Sequence, residues 1–290
     1  MKDTHRAKIG YTTLMLEFEI LTHGLYRPDQ LNITYDPSLR MPTSPTMQAW
    51  MDTLWEQKLA IAREQNIPLF DAPLFRFVEV EAKADGTLHL VLGDTGYKEY
   101  VTTRVSEFAQ GRKREELGNA LSVCSVVETS DGYILLDKRQ GVDVYVGRYH
   151  VIGGFFERDL DSTVSQQPDP FGAIRREIRE ETGILQSDMS EQFCLGVVYD
   201  TATPHAEMCF LTQLKIPLAQ VFKRIPEEDE IKQLETLFVT KVSLRDFLLK
   251  NHGNISATGE PNLLMYGGVR FGGAWFEEMM RHLIEISPGF

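Results

Sequence analysis

The chain has 290 residues, which is room for one large domain or two smaller ones, and two are expected. Its 42% hydrophobic and 25% charged residues suit a globular protein with a buried core and exclude intrinsic disorder. Forty-two acidic against 30 basic residues, a net charge of −12, oppose an extended nucleic-acid contact, but leave room for a small anionic ligand where a divalent cation reverses the local field.

No apolar run reaches the length of a membrane span, and the start Met1-Lys2-Asp3-Thr4-His5-Arg6 is polar with no signal-like core behind it. A cytoplasmic location without membrane contact is therefore expected. Cys124, Cys194 and Cys209 lack the paired spacing of a zinc site and sit in apolar, strand-like surroundings, where they read as buried reduced thiols.

Along the chain, Lys8 to Leu21 reads as a long strand. Ser44-Pro45 supplies an N-cap and first-turn pair for a helix whose apolar face carries Met47, Trp50, Met51, Leu54, Trp55 and Ile61, with the tryptophans read as core and not as a ligand platform. Phe75 to Val80 and Thr87 to Leu92, joined by a turn at Asp85-Gly86, predict a hairpin. These elements form a small N-terminal α+β domain over residues 1–115, ending in the charged run Gly111-Arg112-Lys113-Arg114-Glu115-Glu116, which reads as solvated linker. Residues 116–290 form the second domain. Its strands are expected at Ala120 to Val127, Tyr133 to Leu136, Tyr149 to Ile152, Phe193 to Tyr199, Glu207 to Leu214 and Leu237 to Thr240, with helices near Ser243 to Lys250 and Ala274 to Ile286. A turn at Gly153-Gly154 is expected after the third of these strands.

Asp169-Pro170 is a strong helix start, and Gly183 a left-handed stop after Thr182. Within that helix Glu177, Glu180 and Glu181 stand at i, i+3 and i+4, so their carboxylates project from one face. Like charges so placed destabilise a helix by about 0.2–0.5 kcal/mol per pair, a conflict that a hard cation with oxygen ligands, Mg²⁺ or Mn²⁺, removes. The competing reading is a solvated acidic face with Arg175, Arg176 and Arg179 as intrahelical partners.

The full run Arg176-Glu177-Ile178-Arg179-Glu180-Glu181-Thr182-Gly183-Ile184 decides between them, because it resembles the second half of the Nudix box, R-E-U-x-E-E-x-G-U. The resemblance implies a Nudix α/β/α sandwich with a mixed sheet. It also implies metal on Glu177, Glu180 and Glu181, Arg176 as a buttress of the carboxylates, and metal-assisted attack of water on a phosphoanhydride. The first half departs from the pattern: Pro168 stands where the family carries glutamate, and 158–167 looks like an insertion. Gly153-Gly154-Phe155-Phe156-Glu157 still resembles the G-G-x-x-E that opens the box. Glu157, Asp159 and Asp169 are candidates for the missing oxygen. Because Asp159 and Asp161 read equally as surface acids, only Glu157 is kept as a catalytic candidate beside Arg176, Glu177, Glu180 and Glu181.

A wider resemblance, to the vertebrate Nudix-type UDP-glucose and UDP-galactose hydrolases and their plant nucleotide-sugar relatives, rests on three N-terminal features. These are the tryptophan-bearing helix around Trp55, Leu69-Phe70-Asp71-Ala72-Pro73-Leu74-Phe75-Arg76, and Leu92-Gly93-Asp94-Thr95-Gly96-Tyr97-Lys98-Glu99-Tyr100. It continues through Gly154 to Glu181 and, weakly, Ala206-Glu207, and so covers most of the chain. It implies Mg²⁺-dependent hydrolysis of a nucleoside diphosphate sugar to a nucleoside monophosphate and a sugar 1-phosphate. Lys98 and Arg139 are then the cations to test for phosphate contact, Tyr97 the ring for the nucleotide, and Gly153 and Gly154 the backbone beside it. Thr203-Pro204-His205 reads first as an exposed turn, with substrate contact or a base role for His205 as the alternative. ADP-ribose or another nucleoside diphosphate derivative is the alternative substrate, and a non-catalytic nucleotide-binding protein, motivated by Pro168, is the third reading. The sequence leaves the oligomeric state and the identity of the base open.

Overall fold

The computed structural model describes residues 16–140, 144–227 and 234–287. Its elements are β1 (Phe18–Tyr26), β2 (Leu31–Tyr35), α1 (Pro45–Glu64), β3 (Pro73–Ala82), β4 (Leu88–Gly96), α2 (Tyr97–Thr103) and α3 (Ser106–Ala109). There follow β5 (Leu121–Glu128), β6 (Tyr133–Lys138), β7 (Tyr149–His150), β8 (Ile152–Phe155), α4 (Pro170–Thr182), β9 (Met189–Asp200) and β10 (His205–Leu214). The chain continues with α5 (Leu218–Val221), β11 (Leu234–Phe238), α6 (Lys241–Asn251), α7 (Gly259–Phe271) and α8 (Gly273–Ile286).

Local signals place several of these elements. The Ser44 hydroxyl accepts from the Met47 N–H at 3.2 Å and starts α1 ahead of Pro45. The β3–β4 hairpin turns at Gly86, whose φ of +87° calls for glycine. Trp55 and Met51 are core on α1, but Trp50 and Ile61 are not: both are exposed, Trp50 stacking on Phe108 with centroids 5.0 Å apart. The apolar stripe of α1 is wider than the surface available to cover it.

Two sheets result. The smaller has the order β2-β4-β3, with β2 parallel to β4. Among the described residues the larger has eight strands on the path β1-β9-β10-β5-β6-β11, with β7 on β6 and β8 on β5, and only β10 and β5 run parallel among its pairs. This is an α+β architecture with mixed sheets. Alternation along the strands splits the large sheet into two faces. Val123, Ile152, Ala206 and Met208 pack with Phe171, Ile174 and Ile178 of α4 and with Phe75 and Leu90 of the small sheet. Cys124, Val151 and Cys209 pack on the opposite face with Leu244, Leu263, Tyr266, Trp275 and Leu283 of α6, α7 and α8. The sheet is thus sandwiched between helical layers, as expected.

Other expectations are altered by tertiary pairing. The first strand is Phe18–Tyr26, displaced from the predicted Lys8 to Leu21, of which 8–15 lie outside the described residues. It leaves the N-terminal segment to extend the large sheet beside β9, so sheet membership does not follow a cut after residue 115. The charged run near that cut is not simply solvated, since Arg114 pairs with Glu19 at 2.7 Å and lies 3.7 Å over the Tyr199 ring. Gly153 and Gly154 form no turn but lie within β8, opposite Cys124 and Val123, where a Cβ on Gly153 would stand 2.2 Å from the Val123 carbonyl oxygen. Helix α7 was not anticipated. Residues Gly259 to Gly267 are all buried, so no polar face marks a helical period, and Gly267 leaves space that Trp275 fills. All three cysteines are free and buried, and Cys124 and Cys209 meet across β5 and β10 with sulfurs 3.9 Å apart. No helix among the described residues is long and apolar enough to cross a membrane.

Candidate active site

Helix α4 begins and ends as its sequence predicts. Asp169 Oδ1 accepts from the Gly172 N–H at 2.8 Å, Pro170 occupies the first turn, and Gly183 closes the helix at φ +71°. Burying Phe171, Ile174 and Ile178 fixes the helix rotation, which carries Glu177 and Glu181 inward at 7% and 4% exposure and leaves Glu180 at the rim.

Arg176 organises these acids. Its Nε and Nη2 each donate to Asp161 at 2.8 Å, Nη2 also donates to the Phe155 carbonyl at 3.1 Å, and Nη1 reaches Glu177 and Glu180, each at 2.9 Å. Burial works against the guanidinium charge, yet Asp161, Glu177 and Glu180 outweigh it and hold its pKa above the ordinary value. Arg176 therefore buttresses the carboxylates through their oxygens.

Asp161 is not the surface acid that the sequence suggests. It is 4% exposed, and its Oδ2 also accepts from the Glu157 N–H at 2.8 Å. Its carbonyl receives the Asp169 N–H at 2.8 Å, while Ser162 and Pro168 bridge across the loop. The inserted run is thus a closed loop that returns an acid to Arg176 seven positions before buried Pro168. Its only sequence signal was the count of acids in the loop, which does not say which of them turns inward. Glu157 stands beside this cluster, where burial pushes its carboxyl up. Arg176 opposes the shift, and the negative charges of Asp161, Glu180 and Asp159 add to it.

The acids offer hard oxygen donors suited to Mg²⁺ or Mn²⁺. Gly154 leaves the space next to them open, for a Cβ there would lie 2.5 Å from the Glu177 carboxylate. The donor chemistry fits a divalent cation. The arrangement is not a preformed chelate: among the described residues no group of three or more His, Cys, Asp or Glu is disposed to hold a metal ion. Nη1 of Arg176 lies between Glu177 and Glu180 instead.

Strand β8 forms a shared wall. Gly154 faces Glu177, while Gly153, Gly154 and Phe155 also line a cavity of about 770 Å³ bounded by α1, α2, β10 and the approach to α7. One flank of this cavity is aromatic, with Tyr97 and Tyr100 edge-on to Phe155 at 5.6 and 5.4 Å. Lys58, Arg104 and Arg139 bring three cations to it within an acidic protein. Tyr145 also lines it, held at φ +54° and donating to Asp200 at 2.8 Å. Deeper in lie Ser122, His150, His205, Glu207, Ser256 and Thr258.

The cavity therefore brings together Tyr97, Arg139, Gly153 and Gly154. Lys98 is not among them: it lines a separate cleft of about 210 Å³, pairs with Asp52, and donates its N–H to Asp71 at 2.9 Å. It follows Tyr97 on a helical turn, so the two side chains diverge. His205 corrects the expectation of an exposed turn, because it is the first residue of β10, buried, with Nδ1 2.6 Å from the Thr203 carbonyl. Glu207 is 3% exposed; burial pushes its carboxyl up, against the pull of His205, Thr258, Arg139 and Ser122. In the sequence Glu207 carries no signal beyond the weak resemblance at Ala206-Glu207. Tyr145, Arg104, Ser256 and Thr258 were missed, since they come from loops far apart in the chain.

No protein-family model matches this chain, and no curated protein does. Among solved structures it is similar to a bifunctional NMN adenylyltransferase/ADP ribose pyrophosphatase from Francisella tularensis, complexed with AMP and a manganese ion. Identity is 16% over 56% of this chain and 42% of that one, so less than half of the longer protein is spanned, with a TM-score of 0.35. A MutT protein from Methanosarcina mazei matches at 17% identity over 56% of this chain and 92% of its own, with a TM-score of 0.30. A Bacillus subtilis pyrophosphohydrolase matches at 13% identity over 57% and 80%, with a TM-score of 0.32. Likenesses this faint assign neither an activity nor a residue role to this chain.

Proposed function

We propose that this chain is a Nudix-type hydrolase that uses Mg²⁺ or Mn²⁺ to cleave the phosphoanhydride of a nucleoside diphosphate sugar, of the UDP-glucose or UDP-galactose type, to a nucleoside monophosphate and a sugar 1-phosphate. The observation that carries the reading is the cluster in which Arg176 ties Asp161, Glu177 and Glu180 together directly behind Gly154, on the wall of the 770 Å³ cavity. A carboxylate set and a ligand-sized cavity share one strand.

In this reading Glu177, Glu180 and Glu181 would hold the cation, and the chemistry supplied by a bound Mg²⁺ is charge neutralisation of the diphosphate and activation of a water. Arg176 and Asp161 keep the carboxylates aimed. Glu157, whose carboxyl burial lifts, is the proton acceptor assigned to the attacking water. Arg139, Arg104 and Lys58 attract the anionic ligand, and Tyr97 offers a ring face or hydroxyl to the nucleotide. In β8, Gly154 leaves the space beside the Glu177 carboxylate open for the diphosphate, while Gly153 lets the strand lie close against β5.

The test is a screen of purified protein with Mg²⁺ against UDP-glucose, UDP-galactose, GDP-mannose, ADP-ribose, dinucleoside polyphosphates and NADH, with products identified in ¹⁸O water. UMP and sugar 1-phosphate are expected, and EDTA should stop their formation. Turnover of ADP-ribose alone would replace the sugar nucleotide by another nucleoside diphosphate derivative. Pro168, standing where the family carries glutamate, favours as a second reading a nucleotide-binding protein without turnover. Nucleotide binding with no product from any substrate would establish it.

A further inference from the structure

The buried end of the cavity holds an acid that the hydrolysis above does not use. Glu207 lies on β10 opposite Ser122 of β5. Its neighbours Ala206 and Met208 face the core under α4, so its own side chain points to the opposite face of the sheet, away from the Arg176 cluster. There it lines the cavity, and its Oε2 is fully buried with no hydrogen-bond partner among the described residues. His150 Nε2 stands 3.9 Å from Oε1. A buried polar atom without a partner weakens a fold, and such atoms recur where a ligand completes the bond.

The surrounding groups indicate what that ligand atom is. Among the described residues no Lys or Arg of the lining forms an ion pair with Glu207, and burial raises its carboxyl pKa against the pull of His205, Thr258, Arg139 and Ser122. Ser122, Ser256, Thr258 and the imidazoles of His150 and His205 each give or take hydrogen bonds without carrying a fixed charge. Arg139 attracts the carboxylate without forming an ion pair with it, so phosphate placed against Oε2 would meet a carboxyl with no cation beside it among the described residues. A neutral ring bearing several hydroxyls would find an acceptor in Glu207 and donors and acceptors around it.

We infer that Glu207 determines specificity by reading the sugar: a sugar hydroxyl donates to Oε2 at the cavity floor, and this bond separates a sugar-bearing nucleotide from the bare diphosphate. The inference rests on the nucleotide-sugar reading and deepens it. Its test is calorimetric titration in metal-free buffer, where no turnover intrudes, of UDP-glucose against UDP and ADP-ribose against ADP, with the wild type, Glu207→Ala and Glu207→Leu. Wild type should bind the sugar-bearing member of at least one pair more tightly. Both variants should lose that advantage, by on the order of tenfold or more, with affinity for the bare diphosphate unchanged. Leucine keeps the volume without hydrogen-bonding atoms and carries the comparison if alanine fails to fold. An equal loss for both members of a pair, or no loss, would overturn the role of Glu207 while leaving the hydrolase standing if the wild type still turns over UDP-glucose. Advantage confined to ADP-ribose keeps Glu207 as the sugar reader and overturns the UDP-sugar assignment. Failure of the wild type to bind any of the four overturns the role of Glu207, and the absence of product from UDP-glucose with Mg²⁺ overturns the hydrolase reading separately.

Discussion

On one side of β8, Asp161, Glu177 and Glu180 converge on the guanidinium of Arg176, with Glu157 and Glu181 close by. On the other side a single carboxyl, Glu207, is buried among hydroxyls and imidazoles. The first neighbourhood has an excess of negative charge held in fixed geometry, which suits neutralising a diphosphate. The second has little fixed charge and one unmade hydrogen bond, which suits selecting a neutral group. Charge density marks where chemistry is proposed, and an unsatisfied polar atom marks where recognition is.

Breaking the first neighbourhood should have the largest effect. Glu180→Gln keeps the volume at the rim of α4, and should lower hydrolysis by on the order of 10²–10³-fold with an unchanged circular dichroism spectrum; unchanged turnover would move the chemistry elsewhere. Arg176→Ala removes the shared partner of three acids and should cost about 3–5 kcal/mol of stability together with activity, read by urea denaturation. Asp161→Asn keeps the loop hydrogen bonds in part but weakens the hold on Arg176, so a smaller loss of activity, roughly 10–100-fold, is expected. A wild-type rate in that variant would return Asp161 to the surface acids with which sequence reading placed it.

The second neighbourhood sharpens the contrast. Glu207→Leu should leave the melting temperature equal or higher, because it removes a buried polar atom that lacks a partner, whereas every change at Arg176 should lower it. A marked fall in the melting temperature of Glu207→Leu would make that carboxyl structural.

The smallest effect belongs to a pair that lines neither neighbourhood. His252 Nδ1 meets Glu260 at 2.9 Å and Nε2 meets Ser287 at 2.9 Å, and the Glu260 bond raises the histidine pKa against its burial. A raised folded-state pKa means that the stabilisation is full below the unfolded value of about 6.5 and is lost as pH rises through the folded value. Denaturation midpoints should therefore decline modestly above neutrality in the wild type, and His252→Gln should flatten that decline.

Much of α4 was legible in the linear chain because its determinants are local. Asp169, Pro170 and Gly183 act on neighbouring peptide groups, and Glu177, Glu180 and Glu181 share a face by helical spacing alone. The β3–β4 hairpin was legible for the same reason. What Asp161 does was not, since its choice between solvent and Arg176 depends on how the loop closes on Pro168. Helix α7 was hidden because burial on all sides erases amphipathic periodicity, and β1 because its partner β9 lies far along the chain.

The sequence by itself determined the caps, the carboxylate spacing and the motif, all of which act over a few residues. Only the tertiary structure decided that Gly154 sets β8 against Glu177, that Lys98 diverges from the cavity, and that Glu207 lies at its floor. Those placements follow from strand register and the packing of both faces of the sheet, which depend on residues far apart in the chain.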